Sequence, residues 1–130
     1  MVGRRVFDIT NGWDGSHPIG VPVFRVTHSV PDGWPRDDSP TTIVLDGAGS
    51  AIAQAKEVAG DKTVGVAGPH VVQQCLNLGL IDQLNVELVP VLLGEGIPFF
   101  GGLAQPPVML ENPSVIEGSR VTHLAFKVRR

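Results

Sequence analysis

Residues 64–100 constrain the fold of this chain more than any other stretch. Residues 64–67 are short and apolar, and Gly68 and Pro69 separate them from an apolar stripe at helical spacing that ends near residue 79. A proline suits the first position of a helix, so this order predicts a strand, a glycine turn and a helix. A second apolar run, residues 84–90, predicts another strand. The stretch is therefore interpreted as a βαβ-like unit that contains a site-forming turn.

The turn at Gly68 is the first candidate site. The backbone amides at the start of the following helix have no acceptor within the helix, and in open α/β sheets this edge holds phosphates and nucleotides. A tight turn without a ligand fits the same spacing. Gly94 and Gly96 form a GxG pair with no third glycine, which is typical of a mobile loop.

The rest of the chain predicts short elements around this unit. Residues 1–12 suggest a short helix that exposes Arg4 and Arg5, either as a solvated surface pair or as a clamp on a phosphate. Residues 21–27 resemble a strand that delivers Thr27, His28 and Ser29 to its end, where these polar groups either bind a ligand or finish a turn. The other predicted elements are a strand over residues 41–45, a helix with the apolar stripe Ala48, Ala51, Ile52, Ala55 and Val58, a short strand over 107–111, and an antiparallel strand over 120–128.

Composition limits the class of protein. The chain has 130 residues, of which 42% are hydrophobic and 18% charged, so residues 1–130 are predicted to form one soluble domain. The net charge of −3 and the scattered basic residues exclude nucleic acid and an anionic membrane as expected partners. Cys75 is the only cysteine, and no apolar run is long enough for a membrane span. A reducing cytoplasm is the expected location.

No catalytic cluster is apparent in the sequence. The four histidines are never three or four residues apart, and His70 and Cys75 lie on divergent faces of the predicted helix, so no metal site is expected. Cys75 lies in an apolar stripe, which favours a packing role over a nucleophilic one. Catalytic residues are left unassigned, and any chemistry is expected to depend on a bound cofactor.

Three runs of sequence, GRRVFD, VPVFRVTH and VAGPHVVQQCLNLGLIDQLNVELVPVLLGEGIPFF, resemble the dihydrofolate reductase-like superfamily. The resemblance is to the branch that contains the reductase domain of the bacterial riboflavin-biosynthesis deaminase–reductase, and it extends over essentially the whole chain. It implies an α/β fold with a mixed, mostly parallel sheet flanked by helices. It also implies NADPH as cofactor, hydride transfer to a small pyrimidine, pteridine or related substrate, and a homodimer.

The same resemblance implies a set of cofactor-binding residues. They are Gly3, Arg4 and Arg5 at a helix start near the phosphates, Thr27 and His28 at a strand end near the adenosine, and Ala67, Gly68, Pro69, His70 and Val71 at the glycine turn near the pyrophosphate. The chain departs from its relatives at two positions, one in this set and one directly after Arg5. Val6 stands where many relatives have threonine, and Ala67 replaces the first glycine of a usual pair. The alanine requires that the backbone there avoid positive φ.

Relatives of this branch start several dozen residues earlier, with a strand that carries an SLDG-type motif on the nicotinamide and substrate side of the cleft. The resemblance therefore implies a domain that is incomplete at its N-terminus. Two functional hypotheses follow, an NADPH-dependent reductase and a non-catalytic remnant that keeps a nucleotide-binding half-site or a dimerisation surface.

Overall fold

A computed structural model describes all 130 residues of the chain. Besides a 3-10 helix at Asn11–Gly15, it contains six strands and three α-helices. In chain order they are β1 (Val2–Gly3), α1 (Arg4–Ile9), β2 (Val23–Val26), β3 (Thr41–Val44), α2 (Ala48–Ala59), α3 (Pro69–Asn77), β4 (Gln83–Leu88), β5 (Ser114–Gly118) and β6 (Val121–Lys127).

The first sheet is parallel, with the strand order β1-β2-β3. Val2 lies opposite Arg25, and Val23 lies opposite Thr41. Residues 65–67 extend this sheet on the other side of β1, where Ala67 N donates a hydrogen bond of 3.0 Å to Met1 O and Ala67 forms a single bridge with Val2. The predicted strand over residues 64–67 is therefore reduced to one bridge, because β1 offers it only a two-residue partner.

The second sheet is antiparallel, with the strand order β4-β6-β5. Leu84 in β4 lies opposite Phe126 in β6, and Val115 in β5 lies opposite Leu124. The mixed α/β class predicted from the sequence is confirmed, with the parallel and antiparallel strands in separate sheets. The prediction of a βαβ-like unit is wrong in one respect, because residues 64–67 pair with the first sheet and β4 with the second.

Helix α2 follows the predicted apolar stripe through its first three turns. Its buried residues are Ala48, Ala51, Ile52 and Ala55. Small side chains allow close approach, and this face joins the main core with Phe24 of β2 and Cys75 of α3. Val58 was predicted to continue the stripe but is 62% exposed. It lies in the last turn of α2, and the buried face of the helix ends at Ala55.

Helix α3 begins as the sequence predicted, with Pro69 in its first turn after Gly68. Gly68 has φ of +106°, a conformation that glycine adopts at little cost. The buried face of the helix consists of Val71, Val72, Cys75 and Leu76, and all four belong to the main core. The helix ends at Asn77, two residues before the glycine predicted to close it.

The C-terminal third differs most from the sequence prediction. Residues 107–111 were predicted as a strand, but only Leu110 forms a bridge, to Val128. Strand β5 was not predicted. Its sequence, SVIEG, lacks the alternation of apolar and polar side chains that marks a half-buried strand, and all five residues are exposed. Strand β6 is antiparallel, as predicted, and it pairs with both β4 and β5 as the central strand of the second sheet, a position that was not predicted. The longest helix, α2, has 12 residues, and none of the helices combines the length and apolarity needed to span a bilayer.

Candidate functional site

A cleft of about 910 Å³ opens where the three parallel strands end. Helix α1 starts directly after β1, residues 27–29 follow β2, and Leu45 and Gly47 follow β3. The turn at Gly68 closes the same edge, because residues 65–67 run beside β1. The cleft therefore lies at the carboxyl edge of a parallel sheet, the position at which open α/β folds hold their ligands.

Nine of the ten residues predicted to bind a cofactor line this cleft. They are Gly3, Arg4, Arg5, Thr27, His28, Gly68, Pro69, His70 and Val71. The tenth, Ala67, lies beside the cleft in the bridge to Val2, and its φ is not positive, as the alanine at this position requires. The structure thus brings together residues from three separate parts of the sequence. Their role in binding stays a prediction.

The cleft is basic although the chain is acidic overall. Four of its lining residues are ionisable, Arg4, Arg5, His28 and His70, and none of the lining residues is an aspartate or a glutamate. The formal net charge of the chain is −3. Positive groups concentrated in a concave surface attract anions more strongly than the same groups scattered over a convex one. The arrangement therefore favours an anionic ligand.

Two helices point their N-termini at the cleft. Gly47 precedes α2 and Gly68 precedes α3, both line the cleft, and neither helix start is capped by a side chain. Val72 N donates to Gly68 O, so the amides of His70 and Val71, the two residues directly before Val72, have no acceptor within the helix. Free amides and the positive end of the helix dipole stabilise phosphate at such a position.

Thr27 and His28 have different roles in the geometry. Thr27 is buried, its backbone N donates to Val44 O at 3.1 Å, and its hydroxyl donates to Ser29 O at 3.1 Å. These bonds fix the turn that follows β2. His28 is exposed at the tip of this turn and faces the cleft, where its ring is free to contact a ligand.

Helix α1 is fixed to the sheet by a buried arginine. Arg25 Nη2 donates to Asp8 Oδ1 at 3.1 Å, and the guanidinium carbon lies 4.6 Å from the centre of the Phe7 ring. Arg25 was not singled out from the sequence. The sequence did carry a signal, because Arg25 is the one charged residue in the run VPVFRVT. Side chains on the face of a strand that a helix covers are normally apolar, so a charged residue there indicates a specific partner.

The cleft is also lined by Ile97, from the loop between β4 and β5. Helix α3 holds this loop by two amide side chains one turn apart. Gln73 Nε2 donates to the carbonyl oxygens of Pro98 and Phe99 at 3.1 and 3.2 Å. Asn77 donates to Gly102 O at 3.1 Å and accepts from Ala104 N at 2.8 Å. The residues that follow the GxG pair in this loop are thus hydrogen-bonded to α3.

Val6 and Ser29, which the sequence had drawn attention to, also line the cleft. The sequence did not point to the remaining lining residues, which are Ile9, Val26, Leu45, Gly47, Gln74 and Ile97. Leu45 and Gly47 could have been found, because they follow a predicted strand of the same parallel sheet. Ile97 could not, because its place depends on the hydrogen bonds from Gln73.

Cys75 lies in the core and not in the cleft. Its side chain is fully buried, and burial raises the pKa of its thiol. A buried thiol with a raised pKa is a poor nucleophile, in keeping with a packing role. No three His, Cys, Asp or Glu side chains converge in a geometry that could hold a metal ion.

Solved structures with the same architecture include a riboflavin biosynthesis protein and two proteins named as a reductase or reductase-like. A protein assigned by its name to riboflavin biosynthesis, from Shewanella sp. PV-4, superposes with a TM-score of 0.72 and 26% sequence identity over 99% of this chain and 72% of its own. A pyrimidine reductase-like protein from Corynebacterium diphtheriae gives a TM-score of 0.69 at 16% identity, over 99% and 75% of the two chains. The riboflavin biosynthesis reductase Rib7 of Saccharomyces cerevisiae gives 0.57 at 18% identity, over 97% and 61%.

No family model matches the sequence, and no curated protein matches it significantly. The fold comparison nevertheless agrees with the resemblance seen in the sequence, because the neighbours are riboflavin-biosynthesis reductase-like proteins of the dihydrofolate reductase-like superfamily. The predicted fold is therefore confirmed.

Proposed function

We propose that this chain, which has the fold of the dihydrofolate reductase-like superfamily, is an NADPH-dependent reductase that transfers hydride to a small pyrimidine, pteridine or related substrate. One observation carries the proposal. Every ionisable side chain that lines the cleft is basic, and the cleft lies at the ends of three parallel strands and at the N-termini of α2 and α3. This combination supports a ligand with several phosphates.

The residues present fit a dinucleotide. The cleft is about 910 Å³, near the upper end of the range for small-molecule sites, roughly 300–1,000 Å³. The free amides of His70 and Val71 support binding of the pyrophosphate at the start of α3, and Gly68, which has no side chain, supports close approach of the ligand to the backbone. Arg4 and Arg5 supply guanidinium groups for a further phosphate, which favours NADPH over NADH.

When bound, NADPH supplies the hydride, and the protein supplies binding and orientation. The apolar lining residues Val6, Val26, Leu45 and Ile97 exclude water from part of the cleft and offer a surface for a flat heterocycle. The neighbours named as pyrimidine reductase-like and riboflavin biosynthesis proteins support an aminopyrimidine as the substrate class. The buried, unpaired Cys75 is compatible with work in a reducing cytoplasm.

A homodimer is part of the proposal, and the surface area of the chain supports it. The accessible surface is 8,989 Å², whereas a compact monomer of 13.8 kDa exposes about 6,600 Å². The excess, about 2,400 Å², is more than the roughly 800 Å² per partner of a standard interface. Exposed apolar side chains cluster on the loop after β4, at Leu92 and Leu93, and on the apolar face of the antiparallel sheet, at Leu88 and Val115. A second copy that covers this surface would bury part of the excess.

The test is an assay of NADPH consumption by the purified protein with a phosphoribosyl-aminouracil as substrate, and with dihydrofolate as a second substrate. Turnover of the aminouracil supports the proposal. Tight binding of NADPH without turnover of either substrate identifies instead a non-catalytic nucleotide-binding module. Absence of NADPH binding contradicts both.

A further inference from the structure

Asp8 lies between two arginines that differ greatly in exposure. Its Oδ1 accepts a hydrogen bond from Arg25 Nη2 at 3.1 Å, and its Oδ2 lies 3.9 Å from Arg4 Nε. The side chain of Arg25 is 3% exposed and that of Arg4 is 70% exposed. Arg4 lines the cleft, whereas Arg25 lies behind α1 on β2. The Asp8 carboxylate therefore lies between a buried cation and a cation of the cleft, and its shorter contact is to the buried one.

The buried arginine depends on this carboxylate. Arg25 Nε and Nη1 have no hydrogen-bond partner, so the contact with Asp8 and the Phe7 ring are the main compensations for its burial. Burial lowers the pKa of Arg25, Asp8 raises it, and the charge of Arg4 lowers it. A buried charge without a partner is strongly destabilising, so the shorter contact of Asp8 is directed to Arg25.

We propose that Arg25 is a positioning residue that engages the Asp8 carboxylate and thereby leaves the guanidinium of Arg4 available to an anion in the cleft. The inference rests on the proposed function, in which the cleft binds a nucleotide phosphate. Arg4 and Asp8 are four residues apart in α1, a spacing at which opposite charges pair on a helix surface. Without Arg25, Asp8 pairs with Arg4 and cancels the charge that the ligand needs.

For the variant Asp8→Asn, this role of Arg25 predicts a change in anion affinity opposite in sign to the change that a purely structural role predicts. Replacing Asp8 by asparagine keeps an oxygen that can accept from Arg25 but removes the negative charge. The protein then loses stability, because the charge of Arg25 is less well compensated, yet it binds anions more tightly, because nothing attracts Arg4 away from the cleft. A structural role alone predicts that stability and affinity fall together.

The experiment titrates inorganic pyrophosphate and NADPH calorimetrically into the parent protein, Asp8→Asn, Arg25→Met and the double variant. We expect Asp8→Asn to bind about two- to fivefold more tightly than the parent, the size of one partly exposed charge interaction. We expect Arg25→Met to bind weaker by a similar factor, and the double variant to match Asp8→Asn, because Arg25 has no carboxylate left to restrain. Unchanged or weaker binding by a folded Asp8→Asn variant would overturn the inference.

A second measurement needs no ligand. Denaturant midpoints are compared for Arg4→Ala in the parent and in the Arg25→Met background. We expect Arg4→Ala to lower the midpoint more in the second background, because Asp8 has turned to Arg4 there. An equal shift in the two backgrounds overturns the inference, even if the parent protein binds no nucleotide, a result that by itself would refute only the proposed function.

Discussion

Gly3 and Val71 are in direct contact, so that a methyl group on Gly3 would lie 2.7 Å from Cγ2 of Val71. The contact joins the end of β1 to the first turn of α3. Arg4, which follows Gly3, and His70, which precedes Val71, line the same cleft. The close approach of Gly3 and Val71 therefore brings the start of α1, with its arginines, next to the start of α3.

The first prediction is that Gly3→Ala destabilises the protein by about 1–3 kcal/mol, because it forces apart a packed contact. Gly3 has φ of −85°, so alanine can adopt its backbone conformation, and the cost arises from the clash alone. The measurement is the denaturant midpoint, with Val71→Ala as the matched background. In that background the clashing methyl is gone, and Gly3→Ala should cost little. A full cost in both backgrounds would show that the contact with Val71 is not the cause.

The second prediction concerns the turn before α3. Gly68→Ala should lower stability by about 1–2 kcal/mol, because φ of +106° is unfavourable for any residue with a Cβ atom. The new methyl would also lie 3.3 Å from Cγ2 of Val6, which lines the cleft, so nucleotide affinity should fall as well. Gly65→Ala is the control, since Gly65 has no atom within 4 Å of an added Cβ and no positive φ. Similar losses in both variants would contradict this explanation.

The third prediction is an alkaline loss of stability that depends on Cys75. Burial raises the pKa of its thiol, so above the ordinary thiol pKa, near 8.5, the unfolded chain ionises while the folded chain keeps its proton. The unfolded state then binds fewer protons, and the free energy of unfolding falls as pH rises. The measurement is the denaturant midpoint from neutral pH to pH values above the thiol pKa. Cys75→Ala should flatten the decline, and an equally steep decline in both proteins would exclude Cys75 as its source.

The fourth prediction concerns the exposed apolar loop after β4. Leu92 is 100% and Leu93 is 78% exposed, and replacing both with aspartate should convert the proposed dimer to monomers, because charged groups would be buried in its interface. Sedimentation velocity measures the outcome. Val58→Asp is the control, since Val58 is an exposed valine on α2, away from this surface. A dimer that survives both aspartates would place the interface elsewhere.

The sequence predicted those elements whose signal is local. Helices α2 and α3 combine an apolar stripe with a glycine or proline at the start, and both formed within two residues of the predicted bounds. Strands β2 and β3 are short apolar runs bounded by turn residues. The division into two sheets could not be predicted, because it depends on which strands pair over long sequence separations.

The cleft was largely predictable, because parallel strands present their carboxyl ends at one edge and the residues after them must meet there. The resemblance to the reductase branch supplied the individual positions, such as His28 and His70, which spacing alone did not distinguish from turn residues. Arg25 escaped notice because its importance depends on a contact with Asp8, 17 residues earlier and on another element. Such pairings are set by packing and leave no periodic pattern in the sequence.

Calorimetric titration with NADPH and NADH measures whether the basic cleft binds the proposed cofactor. We expect NADPH to bind more tightly than NADH, and Arg4→Ala and Arg5→Ala each to weaken NADPH binding by about tenfold or more, the value of a charge-assisted hydrogen bond to a phosphate. The same variants should affect NADH less, and added salt should reduce the difference between the two nucleotides. Equal affinities for NADPH and NADH, unchanged by either substitution, would refute NADPH binding through these arginines.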